Sequence, residues 1–179
     1  LFITSRTLWT HFNHSLFAQN RNIILEQGEV FFDVHKDAKH PFLIESKGIT
    51  IKVLGTSFNV RHSVASHHLS VEVKTGTVKV AQGTKEHVLT AGNTLSYQKG
   101  TYQLAQLNPE YIGLWTSGGL FVEQATFKEL QEIIWNRFGL SLKSNVDSQA
   151  FEYSLFLPQV QSIDQLMDIV CSIHQTKYR

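Results

Sequence analysis

The sequence has one cysteine, Cys171, and one methionine, Met167. A lone thiol cannot close an internal disulfide or build a thiolate zinc cluster, so no disulfide scaffold holds this chain together. An excess of one charge is also missing: 16 Lys+Arg stand against 15 Asp+Glu, a formal net charge of +1. That balance excludes a broad cationic surface able to neutralise many phosphates, and nucleic acid is not an expected partner. No apolar run reaches the roughly 18 to 20 residues a membrane span requires, and Leu1 to Asn20 is too polar for the apolar stretch of a signal peptide. The piece itself is expected to be soluble. The lack of an initiator Met leads us to expect a processed product or an excised fragment, with any targeting information upstream. Disorder is excluded by what is present. Of 179 residues, 42% are hydrophobic and 17% charged, enough for one ordinary domain or two small ones with real cores.

From about Ile23 to Leu107 apolar and polar residues alternate in short runs, the period of half-buried strands. Ile49-Thr50-Ile51-Lys52-Val53 is the clearest, and Val30 to Val34, Phe42 to Glu45, Phe58 to Val60, Leu69 to Val73, Thr77 to Val80 and Leu95 to Tyr97 follow the same rule. A pattern of apolar-x-x-Gly-x-apolar recurs at Leu25 to Val30, Val73 to Val78 and Tyr97 to Tyr102, with a looser copy at Leu89 to Leu95. Glycine accepts positive φ at such corners, so repeated strand-corner-strand units predict a β-solenoid or roll, with a hairpin sandwich as the plainer alternative.

After Asn108-Pro109 a connection through Gly119 carries Tyr111 and Trp115, and the period then shifts from 2 to 3.6. Phe127, Leu130, Ile133, Ile134 and Phe138 share one helical stripe, Thr126 with Glu129 forms a capping box, and Gly139 marks the stop. Ser162 with Gln165 opens a second helix whose stripe is Ile163, Leu166, Ile169, Val170 and Ile173. Thr126 and Ser162, Leu130 and Leu166, Ile133 and Ile169, and Ile134 and Val170 are each 36 residues apart. Leu120-Phe121 maps in the same way onto Phe156-Leu157, and Leu140 to Leu142 onto Thr176 to Tyr178. The offset predicts two βαβ units in one small sheet, the chain stopping at Arg179 inside the last strand. The expected class is α+β: an all-β domain over 1–108, a linker over 109–119 and a duplicated βαβ domain over 120–179.

Residue chemistry points away from catalysis. Eight of nine histidines precede residue 88, but the spacing of His62, His67 and His68 matches no helical zinc motif, and His11 and His14 are weaker candidates. Neither a Gly-x-Ser-x-Gly elbow, nor a phosphate loop, nor His-Glu-x-x-His occurs. Glu26, Glu29, Asp33 and Asp37 fall where alternation puts many side chains in solvent. Cys171 is expected as a buried thiol, and Trp115 and Trp135 as packing anchors. No catalytic residue, cofactor or metal is expected.

Gly28-Glu29-Val30-Phe31-Phe32-Asp33-Val34, then Pro41-Phe42, then Val53-Leu54-Gly55-Thr56-Ser57-Phe58-Asn59-Val60 closely resemble the FecR family of transmembrane anti-sigma factors. Val71 to Val73, Gly76-Thr77-Val78-Lys79-Val80 and Leu89-Thr90-Ala91-Gly92-Asn93 continue the resemblance in order, over roughly residues 20 to 100. Thr7 to Phe12 resembles the family's opening strand only loosely. The segment from Trp115 to Arg179 is similar to the short secretin/TonB N-terminal fold, which is itself built from βαβ units. The family-motif positions are Gly28, Phe32, Val34, Pro41, Phe42, Gly55, Thr56, Phe58, Val60, Gly76, Val78 and Gly92; Leu130 and Leu166 are the paired core positions of the duplication.

The resemblance implies the periplasmic part of a single-pass inner-membrane regulator. A cytoplasmic helical domain, absent here, would bind an extracytoplasmic-function sigma factor, and a membrane helix, also absent, would anchor the chain. The expected partner is the signalling domain of a TonB-dependent outer-membrane receptor, with regulated cleavage of the anchored protein as the readout. Contact through strand edges fits this role, because unpaired amide and carbonyl groups offer affinity with little sequence signature. Residues 1 to 110 carry 11 basic and 8 acidic side chains, and residues 111 to 179 carry 5 and 7, so the halves differ in sign. The alternative is a carbohydrate-binding β domain using Trp9, Phe31 and Tyr102 as a platform; an enzyme is a third class that the missing motifs disfavour.

Overall fold

The computed structural model describes residues 2–5, 10–12, 21–64, 66–144 and 151–178. Trp9 and His14 lie outside them. The chain divides into two units, Leu1–Gly113 and Leu114–Arg179, so the stretch expected as a linker falls partly in each. Ile112, within that stretch, is fully buried, and its carbonyl accepts a 3.4 Å hydrogen bond from Lys74 Nζ.

The first unit has twelve described strands: β1 (Phe2–Ser5), β2 (Thr10–Phe12), β3 (Asn22–Leu25), β4 (Gly28–Asp33), β5 (Phe42–Ser46), β6 (Ile49–Val53), β7 (Ser57–Ser63), β8 (His68–Thr75), β9 (Thr77–Gln82), β10 (Lys85–Thr90), β11 (Asn93–Gln98) and β12 (Thr101–Gln106). They form sheet I, in the order β1-β4-β7-β8-β11-β12, and sheet II, in the order β10-β9-β6-β5-β3-β2. Alternation sends one side chain in two to a shared core: Val30, Phe32, Phe58, Val60 and Val71 from sheet I meet Phe42, Ile44, Ile51, Val78 and Val80 from sheet II. Phe32 stacks on Phe58 with ring centroids 5.2 Å apart and lies 5.7 Å from Phe42 of the other sheet. Burying each such side chain contributes roughly 1.5–3 kcal/mol.

This pairing corrects the solenoid expectation. Coils of a solenoid stack as parallel strands, whereas every ladder here is antiparallel except β3 with β5. Of the expected glycine corners, Gly28, Gly76 and Gly92 hand the chain from one sheet to the other, as Gly55 does too, whereas Gly100 turns the β11–β12 hairpin within sheet I. Gly28 follows β3 and opens β4, Gly55 joins β6 to β7, Gly76 joins β8 to β9 and Gly92 joins β10 to β11. From β5 onward the chain lays a hairpin in sheet II, then one in sheet I, and repeats. At Gly76, φ is +81° and a Cβ would lie 2.8 Å from the Gly55 carbonyl oxygen, so glycine is required on both counts.

In the second unit a 3-10 turn (Leu114–Ser117) precedes β13 (Leu120–Ala125), α1 (Phe127–Phe138), β14 (Tyr153–Leu157) and α2 (Ile163–Ile173). β13 and β14 pair antiparallel, and Leu130, Ile134, Leu166 and Val170 of the helices are buried in one core with Leu120, Val122 and Leu155. Thr126 caps α1 through a reciprocal box with Glu129, and Gly139 ends it in the left-handed region at φ 68°. Ser162 Oγ accepts from the Gln165 amide at 3.1 Å, but the Gln165 side chain accepts from Gln161 N, one residue before the cap.

The duplicated βαβ expectation needs two corrections. The helices keep the 36-residue offset; the strands do not. Leu120 is buried while its counterpart Phe156 is 49% exposed, and the buried Leu120 and Val122 correspond instead to Tyr153 and Leu155. The cause is the strand-to-helix connection: β13 runs directly into the Thr126 cap, whereas Pro158 to Gln161 intervene before Ser162. The third strand of each unit is also not formed. Gln131 Nε2 donates to the Leu142 carbonyl at 2.7 Å, and the backbone after α2 turns at Gln175, so neither 140–142 nor 176–178 joins a ladder. Trp135, expected as an anchor, is 60% exposed.

Candidate interaction surface

Outward-facing residues of sheet I form a polar strip. Register places Asn59 of β7 between Phe31 of β4 and Glu72 of β8, and puts Arg61 opposite both Glu29 and Ser70. The nearly buried Asn59 amide donates to Glu29 Oε1 at 3.0 Å and to Glu72 Oε2 at 3.2 Å. Burial, followed by the neighbouring Glu29 charge, pushes the Glu72 carboxyl up to about 7, against the opposing pull of Arg61 and Asn59. Glu72 therefore exchanges its proton near neutrality. Glu29 was visible in the sequence only as a scattered carboxylate, and Glu72 was not singled out. A glutamate between Val71 and Val73 on an alternating strand was the available signal.

A serine-histidine pair lies on the core side of the same unit. Ser46 Oγ donates to the Leu25 carbonyl at 2.6 Å and lies 3.0 Å from His62 Nδ1. With its proton committed to a carbonyl, this buried hydroxyl accepts from the imidazole and is not activated by it. Burial holds His62 below its ordinary pKa. His67 is a turn residue with φ 53°, and its carbonyl accepts from Lys47 Nζ. Among the described residues no three His, Cys, Asp or Glu side chains cluster as metal ligands.

Of the aromatics considered for a glycan platform, Trp9 lies outside the described residues, and Tyr102 and Phe31 have contacts within the unit. Tyr102 lies 4.8 Å from both Tyr97 and His87, and its hydroxyl donates to Gln82 Oε1 at 2.6 Å. Phe31 sits beneath the Lys74 ammonium, 5.8 Å from its ring centroid, and its ring is so close to Gly113 that a Cβ there would lie 2.3 Å from it. An open cleft of about 490 Å³ lies beside Tyr102, His87 and Lys85. In the second unit a cavity of about 900 Å³ is lined by Phe127, Phe151, Tyr153, Met167, Cys171 and His174 among others. Cys171 is buried, as its stripe predicts.

The family-motif positions occupy structural places. Phe32, Val34, Phe42, Phe58, Val60 and Val78 are buried in the β core, and Pro41 precedes β5. Val34 and Thr56 exchange backbone hydrogen bonds at 3.0 and 3.1 Å, and Thr56 Oγ1 donates to the Thr77 carbonyl at 2.9 Å. They tie the Gly55 and Gly76 corners together. Leu130 and Leu166 are both fully buried. Missed in the sequence was Arg137, whose guanidinium donates to the carbonyls of Gly118, Gly119 and Val160 and so fastens two loops of the second unit.

The sheets also have ends. β12 closes sheet I and β10 closes sheet II, and each pairs on one side only among the described strands. Two sheets over one core, antiparallel but for the β3–β5 ladder, make a β sandwich whose end strands pair on one side only among the described strands. Residues 3–79, within the first unit, match the family model described as FecR protein. Two crystal structures of a proposed anti-sigma factor from Parabacteroides distasonis ATCC 8503, at 1.65 and 2.50 Å resolution, share the fold, with TM-scores of 0.79 and 0.80. Each is 21% identical to this chain over 90% of its length and 77% of the neighbour's. No curated protein matches the chain.

Proposed function

We propose that this chain is the signal-receiving region of a membrane-anchored anti-sigma factor, working in the periplasm. It relays the state of a TonB-dependent outer-membrane receptor to an extracytoplasmic-function sigma factor and so regulates transcription. The observation that carries this reading is the FecR match over the β unit, supported by a shared fold with a proposed anti-sigma factor across nine-tenths of the chain. The second unit is taken as the short secretin/TonB N-terminal-like domain. Sigma-factor contact and membrane insertion belong to segments outside these residues; no helix among the described residues is long and apolar enough to cross a membrane.

The relay follows from thermodynamics. A receptor domain changes the anchored protein only by binding one conformation, or one cleavage-accessible state, better than another. Both helices of the second unit bury most of their apolar stripes in their own core, Ile173 excepted, so among the described residues no amphipathic helix is free to wrap a sigma factor. A reporter of sigma-dependent transcription tests the proposal in cells whose anti-sigma factor lacks residues 1–179. Loss of induction is expected, and normal induction contradicts it. Saturable sugar binding by the purified chain, without receptor binding, would favour the carbohydrate reading instead.

A further inference from the structure

We propose that β12 is a homotypic docking edge: two copies of the chain pair their Thr101–Gln106 strands antiparallel about Gln103, joining two copies of sheet I into one continuous sheet. β12 is the terminal strand of sheet I, and its hydrogen-bonded partner is β11 alone among the described strands. Five of its six residues are exposed and Tyr102 is half-buried. Folded proteins protect such an edge with charge, proline, a bulge or a cover. β12 has no charged residue and no proline, and its register with β11 is unbroken from Asn93–Gln106 to Gln98–Thr101. The end strand of sheet II differs. β10 begins with Lys85 and Glu86, and Glu86 pairs with Lys79 at 2.7 Å.

The side chains of β12 specify the occupant. Tyr102 and Leu104 share the face that carries their β11 partners Tyr97 and Leu95. Leu95 is fully buried, but Leu104 is 60% exposed. An added antiparallel strand sets same-face residues opposite one another, so only even-sum registers are allowed for a strand pairing with its own copy. Centring on Gln103 places Tyr102 against Leu104 of the second copy, twice by symmetry. Each exposed leucine is then set beside the Tyr102 ring, which keeps its contacts to Tyr97 and His87, a favourable cross-strand pair. Gln103 meets its own copy, amide to amide, with donor and acceptor both available. Two-fold pairing normally sets a strand's charges near themselves; a strand with none escapes that repulsion, which is why a second copy fits this edge.

The test uses the full chain and two readouts. Sedimentation velocity across a concentration series is expected to show a reversible dimer. Leu104→Lys, at an exposed site that leaves the fold intact by circular dichroism, is expected to weaken it roughly tenfold or more. In the second readout Gln103→Cys is expected to give a disulfide-linked dimer under mild oxidation, because directly opposed residues of an antiparallel pair lie about 4.5–5.5 Å apart, within disulfide reach. Val88→Cys, on the 64% exposed site of β10, is expected not to. A chain that stays monomeric at its highest soluble concentration overturns the proposal. So does a dimer indifferent to Leu104→Lys, or crosslinking at residue 103 no faster than at residue 88.

Discussion

The two units bury their cores by different means. In the β unit every core residue except Val34 is at most 1% exposed, and the residues meeting there come from strands far apart in sequence. In the second unit only Leu120, Leu130, Ile134 and Leu166 reach 2% or less, and the remaining core side chains are 5–8% exposed. One unit is specified by cross-strand register and corners, the other by local helix signals closing over a two-stranded sheet. Damage to a corner should therefore be felt across the β unit, whereas loss of a cap should be felt within one helix.

The largest effect is expected from Gly76→Val. A side chain there adopts φ +81° and drives its Cβ to 2.8 Å from the Gly55 oxygen and 2.9 Å from Thr56 Oγ1, at the junction of two corners. A loss of about 4 kcal/mol is expected from combined strain and clash, read as a fall in denaturant midpoint. An unchanged midpoint would show that the corner gives way at little cost. Leu130→Ala and Leu166→Ala come next, each costing roughly 3 kcal/mol because both leucines are fully buried in the second core. Equal losses would support the equivalence of the two helices, and a wide difference would break it.

Glu72→Gln should act in the opposite direction and depend on pH. A carboxyl raised from 4.5 to about 7 in the folded chain holds its proton more tightly there than when unfolded. Its stability contribution is full below the unfolded value and is lost as pH rises through about 7. The glutamine variant should therefore match the parent at acid pH and be more stable at pH 8, by at most about 3 kcal/mol. Parallel stability profiles for the two proteins between pH 5 and 8 would place the Glu72 carboxylate in an ordinary solvated environment. The smallest effect is Thr126→Ala. It removes the two hydrogen bonds that the Thr126 hydroxyl makes with Glu129, leaving the one from the residue 126 backbone amide to the Glu129 carboxylate, and should cost about 1 kcal/mol, more than Ser162→Ala, whose hydroxyl caps the Gln165 amide without a glutamate partner. Amide exchange in the first turn of each helix would show the difference.

Legibility in the sequence follows the same division. Ile49 to Val53 announces β6 because both of its neighbours are strands and one face is fully buried. β10 and β12 left no such rhythm. Of β10 only Leu89 reaches the core, β12 contributes only the half-buried Tyr102, and an edge strand that buries one residue loses its period. The helices were readable because Thr126, Glu129, Gly139 and Ser162 act locally. The strands beside them were misaligned because a four-residue connection before α2, absent before α1, is invisible to a fixed offset. Glu29, Asn59 and Glu72 meet across three strands, and only register brings them together.

Titration calorimetry of the purified chain tests the central claim most directly, with the amino-terminal signalling domain of a cognate TonB-dependent receptor in one cell and the sigma factor in another. The account predicts saturable binding of the receptor domain and no heat with the sigma factor. Direct micromolar binding to the sigma factor, or a silent titration with the receptor domain, would contradict it.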